Sequence, residues 1–151
     1  MRPTREPIRQ ADQTYFITFQ TFQRKSFFRN ERWAIALLNT IHRYTNEFDL
    51  HDFVIMPDHV HLLISHQKHL ERIVQLIKGG YSFSARRAFK WTGDIWQPGF
   101  TDHRIRDEHD YLEHLAYIER NISSLREDNY RFCGKHSDQT LASSPPWLKP
   151  L

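Results

Sequence analysis

The stretch Phe53-Val-Ile-Met-Pro-Asp-His-Val-His-Leu-Leu-Ile64 governs how this chain is read. Residues 50–56 and 59–65 are two short runs of β type, and Pro57-Asp58 between them is the turn chemistry that joins antiparallel strands. Side chains alternate across a strand, so His59 and His61 point to one face while Val60 and Leu62 point to the other. Two imidazoles about 6.5–7 Å apart along one face can converge on a metal ion. In a chain with 10 His, however, such a pair also arises by chance, and a polar strand face explains it equally well.

Working outward, Tyr15-Phe-Ile-Thr-Phe-Gln-Thr-Phe22 is aromatic and β-branched and reads as a first strand. Over residues 31–48, Trp33, Leu37, Ile41, Tyr44 and Phe48 recur at helical spacing, with Asn30 as N-cap. Residues 70–90 form a second helical stretch carrying Ile73, Leu76 and Ile77, which Gly79-Gly80 is expected to bend or split. A loop over 91–99 and a last strand over 100–106 follow. Residues 107–125 are helical, with Asp107 as cap and Asp110 three residues on as a weak relative of the capping box. This order predicts an α+β fold, a ferredoxin-like sandwich with a mostly antiparallel sheet and helices packed on it. The expected organisation is a flexible arm over 1–13, one domain over 14–136 and an irregular tail over 137–151.

The chain has 151 residues, and 21 Lys plus Arg against 18 Asp plus Glu give a formal charge of +3. That length suits one domain that needs no covalent staple. The single Cys133 excludes an intramolecular disulfide and a four-cysteine zinc site. Apolar runs such as residues 34–38 are far short of a membrane span, and Met1-Arg-Pro-Thr-Arg-Glu-Pro lacks an apolar segment after it, so a cytoplasmic protein is expected. Aromatic residues make up 14% of the chain beside a modest basic excess. Rings that stack bases and cations that follow phosphates serve a single-stranded nucleic-acid groove, although most such rings serve a core.

In the last helix, Tyr111, Leu115, Ile118 and Ile122 define an apolar stripe, and Tyr117 and Asn121 lie about a right angle or more away from it. Tyr117 and Asn121 are neighbours at i and i+4, with His114 three residues before the tyrosine. Helix geometry alone fits a solvated face with an incidental tyrosine.

Together, Met56-Pro-Asp-His-Val-His61, Trp96-Gln-Pro-Gly-Phe100, Asp102-His-Arg-Ile-Arg-Asp107 and Tyr117-Ile-Glu-Arg-Asn121 resemble the REP-associated tyrosine transposases, single-tyrosine transposases with two histidines flanking a hydrophobic residue. The resemblance runs from Tyr15 to Asn121. It implies His59, His61 and Asn121 as ligands of Mg²⁺ or Mn²⁺ and Tyr117 as nucleophile, giving a 5′-phosphotyrosine and a free 3′-hydroxyl. A phenol, with its ordinary pKa near 10, needs activation, and His114 is a candidate base. The implied partner is single-stranded DNA folded into a hairpin, with no membrane and no protein partner, and a monomer is favoured over a dimer. Arg72, Lys78, Tyr81, Arg86, Arg87 and Lys90, with Arg104 and Arg106, are the expected DNA-binding residues, and Phe83 and Trp96 are further stacking candidates. The chain departs from the family in one place, reading Asn121-Ile122-Ser123 where Asn-Pro-Val is usual. A DNA-hairpin-binding protein that has lost turnover is one alternative. An unrelated hydrolase using His59, His61 and another histidine is a second.

Overall fold

The computed structural model describes residues 13–66, 69–127 and 133–135, so the expected arm up to residue 12 and the tail from 137 lie outside the described residues. Five strands form one sheet: β1 (Gln13–Gln20), β2 (Phe48–Ile55), β3 (His59–His66), β4 (Thr101–Arg104) and β5 (Cys133–Lys135), in the order β4-β1-β3-β2-β5. Every pairing is antiparallel. Helices α1 (Glu31–Arg43), α2 (Leu70–Phe89) and α3 (Glu108–Glu127) complete the α+β fold predicted from the sequence.

Alternation along the strands assigns the two faces. Ile17 pairs with Leu62, and Leu62 with Phe53, so these fully buried residues share the face that α1 and α2 cover. Thr18 pairs with His61 and Phe16 with Leu63 and His103, placing them on the opposite face, over which α3 lies. In β2 the register slips between Leu50 and Asp52, leaving His51 as an extra residue. Such a bulge shifts the alternation by one position. Phe48 and Leu50 before it, and Phe53 and Ile55 after it, therefore all reach the α1/α2 core.

The sequence placed the helix starts well and two of its interruptions badly. Asn30 Oδ1 accepts from the Arg32 and Trp33 amides at 2.9 and 3.3 Å, as an N-cap should. Helix α1 ends at Arg43, five residues before the expected end, because Phe48 is claimed by β2; its helical spacing was coincidental. Helix α2 runs unbroken through Gly79-Gly80. A Cβ on Gly80 would lie 2.7 Å from the Tyr44 hydroxyl, so this glycine allows a close approach of α2 to the end of α1, and no break is required.

Candidate functional site

His59 and His61 open β3 and project, as alternation demands, toward α3. Their ring centroids are 4.8 Å apart. His61 is 4% exposed, and burial, followed by the charge of His59, holds its pKa down to about 3. It is therefore neutral at neutral pH, with a lone pair on one nitrogen. Its Nδ1 lies 2.8 Å from Thr18 Oγ1, a partner that fixes the ring, while Nε2 is buried with no hydrogen-bond partner. A buried nitrogen left open in this way costs free energy unless something fills it, and a neutral imidazole nitrogen is a metal donor.

His59 is held in the same manner. Its Nδ1 lies 2.7 Å from Asp58 Oδ1, and Arg24 Nε donates to Asp58 Oδ2 at 3.0 Å. Burial raises the Asp58 carboxyl, and the hydrogen bonds from His59 and Arg24 more than offset this, so it stays ionised below the usual carboxylate range. A carboxylate on one ring nitrogen fixes the tautomer and leaves the other nitrogen as a ligand, the usual outer-shell arrangement of metal-binding histidines. The donors present thus fit the metal that the resemblance implies.

Tyr117 stands across from the pair. Of the expected stripe, Ile118 and Ile122 are buried and Tyr111 and Leu115 partly buried, whereas Tyr117 is 41% exposed. Its ring is 5.3 Å from that of His61 and meets Phe16 edge-on at 5.9 Å. The Arg120 guanidinium lies 5.7 Å from the Tyr117 ring centroid. Phe16, Glu113, His114, Ala116, Tyr117 and Arg120 line an open groove of about 490 Å³.

The other expected residues divide. Asn121 follows one turn after Tyr117 with its amide donating to the Tyr117 carbonyl at 2.9 Å, a bond within α3 and not toward the histidines. His114 lines the groove with Tyr117, and its Nδ1 lies 2.8 Å from the Asp110 carbonyl oxygen. Tyr81 is fully buried and donates to the Trp33 carbonyl at 2.9 Å, which removes it from the stacking set. Trp96 is partly buried, packs against Phe19, Phe28 and Tyr81 at the edge of the core and donates to the Lys78 carbonyl. The Lys78 ammonium donates to the carbonyls of Gln97 and Gly99 at 2.8 and 2.9 Å and fastens that loop instead of facing DNA. Arg86 donates to the Gly93 carbonyl and remains exposed, as do Arg72, Arg87, Lys90, Arg104 and Arg106. Phe83 is 63% exposed with the Arg87 guanidinium 5.4 Å from its ring centroid. The cations on α2 thus lie on the far side of the sheet from Tyr117, and Arg104 and Arg106 lie at the β4–α3 junction.

Sequence reasoning missed Thr18, Asp58, Arg24, Phe16 and Arg120. Arg120 was accessible, since i+3 from Tyr117 makes it a helix neighbour. Asp58 immediately precedes His59 and reads only as turn chemistry, whereas Thr18, Arg24 and Phe16 reach the site through strand pairing or a loop and leave no local spacing to read. Also missed was the convergence of His103, Asp110 and His114, whose ligand atoms all lie within 4.8 Å of one another, a set compatible with a divalent ion.

An antiparallel α+β sandwich with paired histidines facing an exposed tyrosine on its outer helix defines a transposase-like domain. The family described as IS200-like transposases matches residues 10–121, most of the chain, and the chain belongs to that family. Two solved structures share the fold. One, a REP-associated tyrosine transposase bound to a REP hairpin, is 23% identical with a TM-score of 0.61, covering 82% of this chain and 74% of that one. The other, a putative transposase from Deinococcus radiodurans, is 24% identical with a TM-score of 0.53, covering 80% of this chain and 97% of that one. No curated protein matches. Among the described residues, no helix is long and apolar enough to cross a membrane.

Proposed function

We propose that this protein is a metal-dependent transesterase that nicks and rejoins single-stranded DNA beside a hairpin through a 5′-phosphotyrosine on Tyr117. The observation that carries the reading is the exposed Tyr117 ring 5.3 Å from His61, whose Nε2 is buried and unpartnered. His59 and His61, with Asn121 as third ligand, would hold Mg²⁺ or Mn²⁺. When bound, such an ion withdraws charge from a phosphate oxygen and orients it.

The chain's own residues do the rest. Asp58 and Thr18 hold the two imidazoles in one tautomer and orientation. Arg120, over the Tyr117 ring, stabilises negative charge developing on the phenol oxygen as its proton leaves. That oxygen attacks phosphorus, a P–O bond forms to Tyr117, and the bond to the 3′ oxygen breaks, leaving a 3′-hydroxyl once that oxygen takes a proton. Attack by a 3′-hydroxyl on the phosphotyrosine reverses the step and joins strands, since the bond energy is conserved. Arg104 and Arg106 lead phosphates toward the groove, and Arg72, Arg86, Arg87 and Lys90 with Phe83 bind the more distant DNA. The DNA partner follows from the structural neighbour, a transposase bound to a REP hairpin.

The test is a labelled hairpin oligonucleotide with Mg²⁺ or Mn²⁺, run on a denaturing gel. Wild type should give a retarded covalent band and Tyr117→Phe none. A band persisting in the variant overturns the assignment. A second reading, a hairpin-binding protein without turnover, draws on Asn121, whose side-chain NH₂ donates within a helix that runs on past Ser123. Tight binding with no adduct from wild type would select it.

A further inference from the structure

Where β4 meets α3, a second group of ligand-bearing side chains converges. His103 lies on β4, Asp110 in the first turn of α3 and His114 one turn later. His103 Nε2 is 2.8 Å from Asp110 Oδ2, and His114 Nδ1 is 3.3 Å from Asp110 Oδ1. The imidazoles stack, centroids 4.7 Å apart and planes at 20°, so both turn an edge to one carboxylate.

We propose that His103, Asp110 and His114 form a second metal site, which takes a transition-metal dication such as Zn²⁺ and pins the helix carrying Tyr117 to the edge strand. Two imidazole nitrogens and one carboxylate oxygen suit Zn²⁺ and its first-row neighbours. Three protein ligands leave a position for water, and the side chains, 42, 17 and 20% exposed, let an ion arrive without unfolding. Helix capping accounts for Asp110, whose amide donates to Asp107 Oδ1 and whose carboxylate accepts from the Arg106 amide, but it does not call for two imidazoles on that same carboxylate. The ligands are also held in place: the Arg106 amide donates to Asp110 Oδ2 at 3.0 Å, and Phe16 packs on the His114 ring at 4.7 Å. Phe16 stacks on His61 as well, at 5.1 Å, and so stands between the two sites.

The experiment titrates Zn²⁺ into metal-free protein by calorimetry and by melting temperature, using a His59→Ala/His61→Ala background so that the first pair cannot contribute. That double variant should bind one equivalent of Zn²⁺ and melt at a higher temperature with it. Adding His103→Ala should weaken uptake at least tenfold and abolish the shift. His103→Gln keeps a hydrogen-bond donor to Asp110, preserves the fold if alanine does not, and should lose zinc equally. Absence of zinc uptake in the double variant, or uptake indifferent to both His103 substitutions, overturns the proposal.

Discussion

On the face that α1 and α2 cover, β1 and β3 present Ile17, Phe19, Leu62 and Ile64, all at most 1% exposed. On the opposite face the same two strands present Thr18, His59 and His61 to a single described helix. One face is sealed by two helices and the other left accessible along Tyr117. Because the residues alternate along one backbone, the apolar set that cannot move also fixes the polar set. The rigidity of the histidine pair is thus supplied from behind, by the apolar residues of the sealed face.

That division can be broken or sharpened by substitution. Phe53→Ala empties a fully buried ring site on the sealed face and should cost about 3–5 kcal/mol, read as a lower denaturant midpoint. A loss below 1 kcal/mol would mean that this face does not hold the fold.

An intermediate effect is expected from pH, through His51. Its ring bridges Tyr111 Oη at 3.0 Å and Ser65 Oγ at 2.7 Å, tying α3 to the sheet. Burial lowers its pKa below the usual histidine value, with Asp49 opposing. The unfolded chain therefore binds more protons below about pH 6.5, and the stability His51 contributes is present above that pH and lost as the pH falls through the folded value. His51→Gln should flatten this part of the stability profile; an unchanged slope would remove His51 from the account.

A smaller gain is expected at Gly79, where an added Cβ meets nothing within 4 Å. Gly79→Ala should stabilise the protein by about 0.5–1 kcal/mol in a helix interior. Gly80→Ala should forfeit that gain, since the Tyr44 ring must move aside. Equal melting points for the two variants would show that the α1–α2 approach is loose.

The smallest change in stability is expected at Tyr117, the proposed nucleophile. Tyr117→Phe removes a partly exposed hydroxyl and should shift stability by no more than about 0.5 kcal/mol, measured by the same melts, while abolishing the adduct. A large loss of stability would place Tyr117 in the structural half of the comparison.

The legible parts were those governed by local periodicity. Alternation around Pro57-Asp58 gave β2, β3 and the shared face of His59 and His61, and the 3.6-residue period in α3 separated Tyr117 from Ile118 and Ile122. What failed depended on distant partners. Tyr81 and Trp96 sit among cations in the sequence, and nothing local distinguishes a ring that stacks a base from one that fills the space between α2 and the sheet. Lys78 looks like its neighbours until the carbonyls of Gln97 and Gly99 are found on its ammonium. Likewise Phe48 fitted a helical spacing that its pairing with His66 overrode.

The slip in β2 has a consequence for insertions and deletions. Without His51 the strand would read Phe-Asp-Leu-Asp-Phe-Val-Ile, a strict alternation with every apolar ring and branched chain that now faces α1 and α2 still facing them. His51 is thus a supernumerary residue in a complete pattern, free of the alternation and used to hold Tyr111. A chain shortened at His51 should keep its register and fold with α3 more loosely tied, whereas one shortened at Val54 would turn Ile55 away from the core. Melting the two deletion variants side by side checks this: the His51 deletion should survive where the Val54 deletion does not.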